Sequence, residues 1–385
     1  MSNIPPELIS DIFSLLPVKS LLRFRCLSKS FKALIDSPKF IQSHLKHQSL
    51  KPNSDMKLIL KSHNLFSLDF TSICNKDSTQ QPKELQHPLK HLNGPTHVLG
   101  SCRGLLLISN NLNDNGVWNL YTKMFRKLPV CDINPSRRTP CGQGPGLAQI
   151  CGGFGYDDST DDYKAVKIDQ WYHPDDEPSL VSATMVYSLK LGVWKNVQDC
   201  PYWLIKEDNG TFVGGALNWI ATEEPLVRGS PVILVGLNLV SERFEEVLFP
   251  ENLGKPLKSN LAELGECICL VLGYVTNARN YVLDHVDVWV MKEYGVKESW
   301  VKLFSVEQLE GRQHFSYLRP IAYSVSTGSD EVLLEMDNKK FLWYNLEKKA
   351  IKHARISGGF DYFESFVSLG SLVPLYGNGY EKIEL

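Results

Sequence analysis

The chain lacks any long apolar run. Its longest such stretch, Ile268 to Val275, falls far short of the roughly 20 residues that span a bilayer, so no transmembrane helix is expected. The opening Met1-Ser2-Asn3-Ile4-Pro5-Pro6-Glu7 has no basic segment leading into an apolar one. Glu7 and Asp11 also interrupt the first hydrophobic stretch, so a secretory leader is not expected either. Cysteine is present without pattern, nine residues scattered at irregular spacing. An odd, unspaced set argues against a disulfide framework and for a reducing compartment, the cytosol or the nucleus.

Reactive constellations are missing as well. The ten histidines include no His-Glu-x-x-His pair, and neither a Gly-x-Ser-x-Gly elbow nor a phosphate-cradling Gly-x-x-x-x-Gly-Lys occurs. Cys267-Ile268-Cys269 has two thiols on one side of a strand but no second Cys/His pair at finger spacing, so both are read as structural. Asp157-Asp158 and Asp161-Asp162 suit a turn that uses carboxylates for local hydrogen bonds better than a calcium loop. Gly142-Gln143-Gly144-Pro145-Gly146 lacks the following helix of a dinucleotide site and reads as a loop. Asn209-Gly210-Thr211 reads as a turn before a strand. Neither a catalytic residue nor a metal or other cofactor is expected.

What the chain does have is a globular composition, 385 residues of which 43% are hydrophobic and 22% charged. Its net charge of −2 conceals an asymmetry: residues 1–50 hold seven Lys/Arg against three Asp/Glu, and the remainder 34 against 40. The basic N-terminal segment lacks the interleaved aromatics and Gly-rich loops of nucleic-acid modules, so an acidic protein is the expected partner.

Two regions differ in period. From residue 4 to about 47 the pattern is helical: Leu8, Ile9, Ile12, Phe13 and Leu16 recur at three- and four-residue spacing, with Pro5 and Pro6 in a first turn capped by Ser2 or Asn3. Pro17 restarts the chain with Val18, Leu21 and Leu22. Ser28 is expected to cap a third helix with Phe31, Leu34 and Ile35 inward, and Ser37-Pro38 to open a short fourth through Phe40, Ile41 and Leu45. So small a cluster cannot bury enough of its own apolar surface to stand alone, which implies a partner or an adjoining domain.

From about residue 56 the period becomes two, in short β-rich runs separated by Gly, Asn, Asp and Pro. The runs repeat as units about 45 to 60 residues apart. One is Val98–Ile108, 117–120 and Met124–Leu128. Others begin at Gly152, Thr211, Glu266 and Ile321. Lys57–Leu60 and Leu65–Phe70 supply part of a first unit, to be completed by a C-terminal strand around Phe366–Leu372. This spacing suits a propeller of about six blades, with Trp118, Trp194, Trp219, Trp289, Trp300 and Trp343 expected to pack between blades.

The N-terminal residues resemble the F-box family, particularly its plant type, through Ile4-Pro5-Pro6-Glu7-Leu8-Ile9, Ile12-Phe13, Leu16-Pro17-Val18-Lys19-Ser20-Leu21-Leu22-Arg23-Phe24-Arg25-Cys26, Ser28-Lys29 and Ile35. Ile4 stands where many members have Leu, and Phe31 where many have Trp. The remainder is similar to the type 1 F-box-associated, kelch-like region: Gly153-Phe154-Gly155-Tyr156-Asp157 with Asp161-Asp162-Tyr163-Lys164, Gly214-Gly215-Ala216-Leu217-Asn218-Trp219, and Val286 to Val296 with Ser299-Trp300. At Trp118-Asn119-Leu120-Tyr121-Thr122 the Asn-Pro usual in that family is absent, so a different hairpin is expected there. Ile4-Pro5, Asp11-Ile12-Phe13, Leu34 to Pro38, Ser43-His44-Leu45 and Gly94-Pro95-Thr96 resemble the plant F-box group named for constitutive expression of pathogenesis-related genes. The S-locus pollen F-box proteins are next.

The resemblance implies an α+β chain: an N-terminal helical F-box over 1–47, an all-β propeller over 48–376 and a C-terminal tail over 377–385. It also implies a substrate-recruiting subunit of a Skp-cullin-F-box ubiquitin ligase rather than an enzyme. The F-box would bind a Skp-family adaptor and through it a cullin, and the propeller face a target protein. In the immune group the target would be a nucleotide-binding leucine-rich-repeat receptor, in the pollen group a ribonuclease; a scaffold that degrades nothing is a third reading. Ile4, Pro5, Leu8, Ile12, Phe13, Leu16, Pro17, Leu21, Leu22 and Phe31 would bury against the adaptor, with Lys19, Arg25 and Lys29 near its acidic edge. Asp132–Gln149 and His173–Leu180 are candidate target-contacting loops.

Overall fold

The computed structural model describes the chain except residues 1–4, 51–54, 75–78, 91–93, 111–113, 132–146, 174–178, 206–208, 226, 228–229, 276–281, 309–314, 325–329, 355, 357–358, 376–379 and 383–385. It packs as two units, one of Met1–Leu128, Ser324–Ser329 and Ala354–Leu385, the other of Pro129–Tyr323 and Asp330–His353.

The first unit opens with four helices, α1 (Pro6–Ser14), α2 (Val18–Phe24), α3 (Lys29–Ile35) and α4 (Pro38–Leu50). Ser28 Oγ accepts from Phe31 N at 3.1 Å and Ser37 Oγ from Phe40 N at 3.3 Å, so both expected serine caps form. The N-cap of α1 is Pro5; Ser2 and Asn3 lie outside the described residues. The fourth helix is not short. It runs 13 residues, past the point where its apolar spacing fades, because Phe40, Ile41 and His44 bury one face of its first turns.

Two sheets complete this unit. In the first, Lys57–Lys61 lies between Leu65–Asp69 and the C-terminal strand Glu364–Ser368, with Lys83–Glu84 on the outer edge. The first and last strands of the repeat thus share a sheet, as expected. In the second, His97–Cys102, Leu105–Ser109, Asn115–Asn119 and Met124–Lys127 form an antiparallel meander. The segment read as a tail adds a fifth strand to it, Tyr380–Lys382 beside Met124–Arg126. Ile59 and Leu65 of the first sheet share a core with Leu106, Ile108 and Trp118 of the second.

The second unit holds four more antiparallel sheets, spanning Leu147–Asn196, Trp203–Val247, Lys258–Glu307 and Leu318–His353. Alternation decides their stacking. On Cys267–Tyr274, Ile268, Leu270 and Leu272 pack with Ile220 and Leu234 of the sheet before, whereas Cys269 and Val271 pack with Val332 and Leu334 of the sheet after. Successive side chains leave a strand on opposite faces, so a strand covered on both sides reads as an unbroken apolar run. That is why Ile268–Val275 is the longest in the chain.

Trp118, Trp219 and Trp300 lie buried in cores shared by neighbouring sheets, with Trp289 packed against the last of these, and Trp343 is buried too. Trp194 departs from the expectation: it packs on Met185 and Ala183 of its own sheet and donates to the Pro129 carbonyl at 2.9 Å.

The Gly-Gly-Ala-Leu-Asn-Trp motif has a packing cause. Tyr294, from the turn after His285–Met291, donates from its hydroxyl to Asn218 Oδ1 at 2.7 Å, and Asn218 Nδ2 donates to the carbonyls of Thr211 and Ala216. Gly214 sits at φ +63°, and a Cβ there would lie 2.2 Å from the Tyr294 ring. Left-handed strain of about 1 kcal/mol adds to that overlap. We expect Gly214→Ala to lower stability by about 2–4 kcal/mol, measured by urea unfolding. Gly215→Ala, whose Cβ meets nothing within 4 Å, should incur the backbone strain alone.

The hairpin lacking Asn-Pro closes as the turn after Ile233–Asn238 does. Asn119 Oδ1 accepts from the amides of Tyr121 and Thr122 at 3.0 and 3.1 Å, as Asn238 Oδ1 does from Val240 and Ser241 at 2.9 and 3.0 Å. An Asn side chain closes the turn without a proline.

Candidate interaction surface

The helical cluster fills its interior with part of its apolar residues and leaves the rest in solvent. Phe13 is the centre, its ring stacked on Phe24 at 5.2 Å and edge-on to Phe31 at 5.1 Å, with Val18, Leu21 and Ile35 buried. Helix α1 and the turn that ends it therefore carry two stripes rather than one. Ile9, Phe13 and Leu16 turn inward, half-buried or buried, whereas Leu8, Ile12 and Leu15 are 52%, 52% and 61% exposed. Positions 8, 12 and 15 are one helical face at i, i+4 and i+7. Leu27 adds a fourth exposed apolar residue at 68%.

The residues expected at the adaptor divide accordingly. Leu8 and Ile12 are exposed, as is Pro5; Leu16, Pro17, Leu22 and Phe31 are half-buried. Phe13 and Leu21 are spent on the cluster's own core and support the surface from behind, since a side chain already closed off by its neighbours has no area left to bury against a partner. Ile4 lies outside the described residues. Lys19, Arg25 and Lys29 are all exposed, and the Arg25 guanidinium pairs with both oxygens of Asp36 at 2.6 and 2.9 Å. Leu15 and Leu27 were missed; for Leu15 the signal was its seven-residue spacing from Leu8.

Polar contacts hold this surface in place. His44 is fully buried, and its Nε2 lies 2.9 Å from the Leu16 carbonyl, tying α4 to the end of α1. Burial keeps the imidazole below its ordinary pKa range, so it stays neutral and Nε2–H donates. Ser14 Oγ donates to the Asp11 carbonyl at 2.7 Å.

The Asp-rich motif of the second unit is also polar, with Asp157 and Asp162 buried and Asp158 and Asp161 exposed. Asp157 Oδ1 accepts from the amides of Ser159 and Thr160, closing the turn, and Asp157 Oδ2 lies 2.8 Å from Lys164 Nζ. Lys164 also meets Glu242 at 2.9 Å, and Glu242 meets Lys195 at 2.7 Å. Cys267 and Cys269 lie in one hydrophobic cluster. Among the described residues no three His, Cys, Asp or Glu side chains gather as a metal site, and no helix is long and apolar enough to cross a membrane. Of the candidate target loops, 132–146 and 174–178 lie outside the described residues, while their flanks belong to the strands Leu147–Asp157, Asp162–His173 and Ser179–Ser188.

Comparison with known families decides what these helices and sheets are. The F-box domain matches residues 1–43, and the F-box associated beta propeller domain matches residues 56–372. The chain belongs to the F-box proteins with an F-box-associated β-propeller. It is 33% identical to F-box protein CPR1 of Arabidopsis thaliana, an alignment that covers 97% of this chain and 89% of that one. It is 28% identical to the F-box/kelch-repeat protein At3g23880 of the same plant, covering 83% of this chain and 82% of the relative. Helices α1 to α4 are the F-box, and the six sheets are the propeller's blades.

Proposed function

We propose that this F-box protein is the substrate-recognition subunit of a Skp-cullin-F-box ubiquitin ligase. The observation that carries the reading is the outward stripe Leu8, Ile12 and Leu15 on a helix whose inward stripe already completes the module's core. Exposed apolar residues gathered on one helix face mark a protein partner, and a flanking set of exposed cations, Lys19, Lys29 and Lys32, suits an acidic one. Docking there would carry the propeller, with its bound target, to a ubiquitin-charged conjugating enzyme. The contribution to catalysis is then proximity: the target lysine is held at high effective concentration near the thioester, and the conjugating enzyme supplies the chemistry.

The resemblance to the immune group makes nucleotide-binding leucine-rich-repeat receptors the first targets to assay. The test is reconstitution from purified Skp adaptor, cullin, activating and conjugating enzymes and the full chain, with candidate receptors as acceptors. We expect a stoichiometric adaptor complex and ubiquitin transfer to a receptor that the propeller binds. Stable adaptor binding without transfer to any bound protein would instead identify a non-degradative scaffold, and absence of adaptor binding would overturn the reading altogether.

A further inference from the structure

Helix α2 begins with a donor that its own sequence cannot satisfy. The first amides of a helix have no partner within it, and Pro17, at the N-cap, offers no side-chain oxygen. The acceptor comes from 37 residues on: the amide of Val18 donates to Asp55 Oδ2. Val18 is fully buried and Asp55 is 7% exposed, so this charge-assisted bond is shielded from water.

Asp55 is held from the other side by the sheets. It stands two residues before the strand Lys57–Lys61, and its carbonyl accepts from the Tyr121 hydroxyl on the hairpin of the second sheet. Burial raises the Tyr121 pKa, so the hydroxyl remains a donor. Gly370, just beyond the strand Glu364–Ser368, packs so closely that a Cβ there would lie 2.4 Å from Asp55 Cβ. The side chain therefore grips the F-box while the backbone carbonyl of the same residue is held by the hairpin of the second sheet.

We infer that Asp55 is the positioning residue that fixes the direction in which the F-box is presented from the first two blades. The consequence for ubiquitin transfer rests on the proposed ligase function; the clamp itself does not. A carboxylate or amide oxygen suffices to cap Val18, so Asp55→Asn should retain the clamp and Asp55→Ala should release it. Tyr121→Phe releases the opposite end while leaving the helix cap in place.

The experiment is electron-electron distance measurement on the full chain, spin-labelled at Gln42→Cys in α4 and Lys83→Cys in the first sheet, both exposed, with Cys26→Ser to remove an exposed thiol. It is done with and without purified Skp adaptor, alongside amide exchange at Val18. The parent should give one narrow distance. Asp55→Ala should broaden it at least about twofold and speed Val18 exchange at least about tenfold, the scale of one lost bond to a charged group. Asp55→Asn should restore the narrow distance, and Tyr121→Phe should broaden it with Val18 still protected. Adaptor affinity should stay within about threefold throughout, because the outward stripe is untouched. A narrow distance in both Asp55→Ala and Tyr121→Phe, or equal broadening in Asp55→Asn and Asp55→Ala, would overturn the inference. Should Asp55→Ala fail to fold, Tyr121→Phe and Asp55→Asn still decide it. Failure of the parent to bind adaptor would count against the ligase reading alone, since the free chain reports the clamp.

Discussion

Ile12→Glu abolishes adaptor binding: in a titration of the purified full chain with a Skp adaptor, affinity falls at least about a hundredfold while the thermal midpoint moves by less than about 2 °C. Ile12 is half in solvent in the free chain, so a carboxylate there is hydrated and the fold is hardly affected. In the complex the same carboxylate would lie in an apolar interface without a partner, a penalty of about 3 kcal/mol or more. Leu16 is the less informative position, although it belongs to the same helical pattern. It is half-buried, and its carbonyl holds His44, so Leu16→Glu would strain the module as well as the interface. Leu15→Glu should behave like Ile12→Glu, and an unaltered affinity in both would remove α1 from the binding surface.

Lys164→Met lowers stability by about 3 kcal/mol at neutral pH and flattens its dependence on acid. Lys164 and Asp157 have side-chain exposures of 7% and 1%, and removal of one member of a buried pair leaves the other charge uncompensated, typically at about 3–5 kcal/mol. The lower figure applies because Ser159 and Thr160 still donate to Asp157. The acid dependence follows from the carboxylates. Burial opposes ionisation of Asp157, but Lys164, Ser159 and Thr160 outweigh it and hold the carboxyl well below the usual range; Lys195 and Lys164 lower Glu242 against the same opposition. A depressed folded pKa contributes stability that is complete above the unfolded value, about 4, and is lost as pH falls towards the folded one. Urea midpoints of the parent between pH 7 and pH 3 should therefore decline, and those of Lys164→Met should decline less. Parallel curves would show that the cluster does not couple charge to folding.

The sequence made some of this legible and concealed the rest for identifiable reasons. Serine three residues before the first aromatic of a helically spaced apolar set placed two helix starts, because a cap is a local interaction. The repeat of β units gave the blade number, and its first and last members were correctly paired. The division of α1 into two stripes was not legible. Leu8, Ile9, Ile12, Phe13, Leu15 and Leu16 all satisfy a helical period, and only packing against Phe24 and Phe31 shows that the Phe13 side is the inner one. The pairing of Arg25, an exposed cation as read, with Asp36 was not legible, because Asp36 comes from the end of another helix. Asp55 carried no signal at all: a capping residue 37 positions from its helix is a property of the fold. Trp194 was misplaced for a similar reason, since a tryptophan at a strand position does not disclose which face its neighbour will cover.

The most direct test of the account is a turnover measurement in plant cells expressing the parent chain or Ile12→Glu, each fused to a proximity-labelling enzyme. The account predicts a set of proteins labelled by both chains, because the propeller is intact in both, whose half-lives are shortened only by the parent and recover when the proteasome is inhibited. Equal half-lives of those shared proteins under the two chains, with adaptor bound to the parent alone, would contradict it.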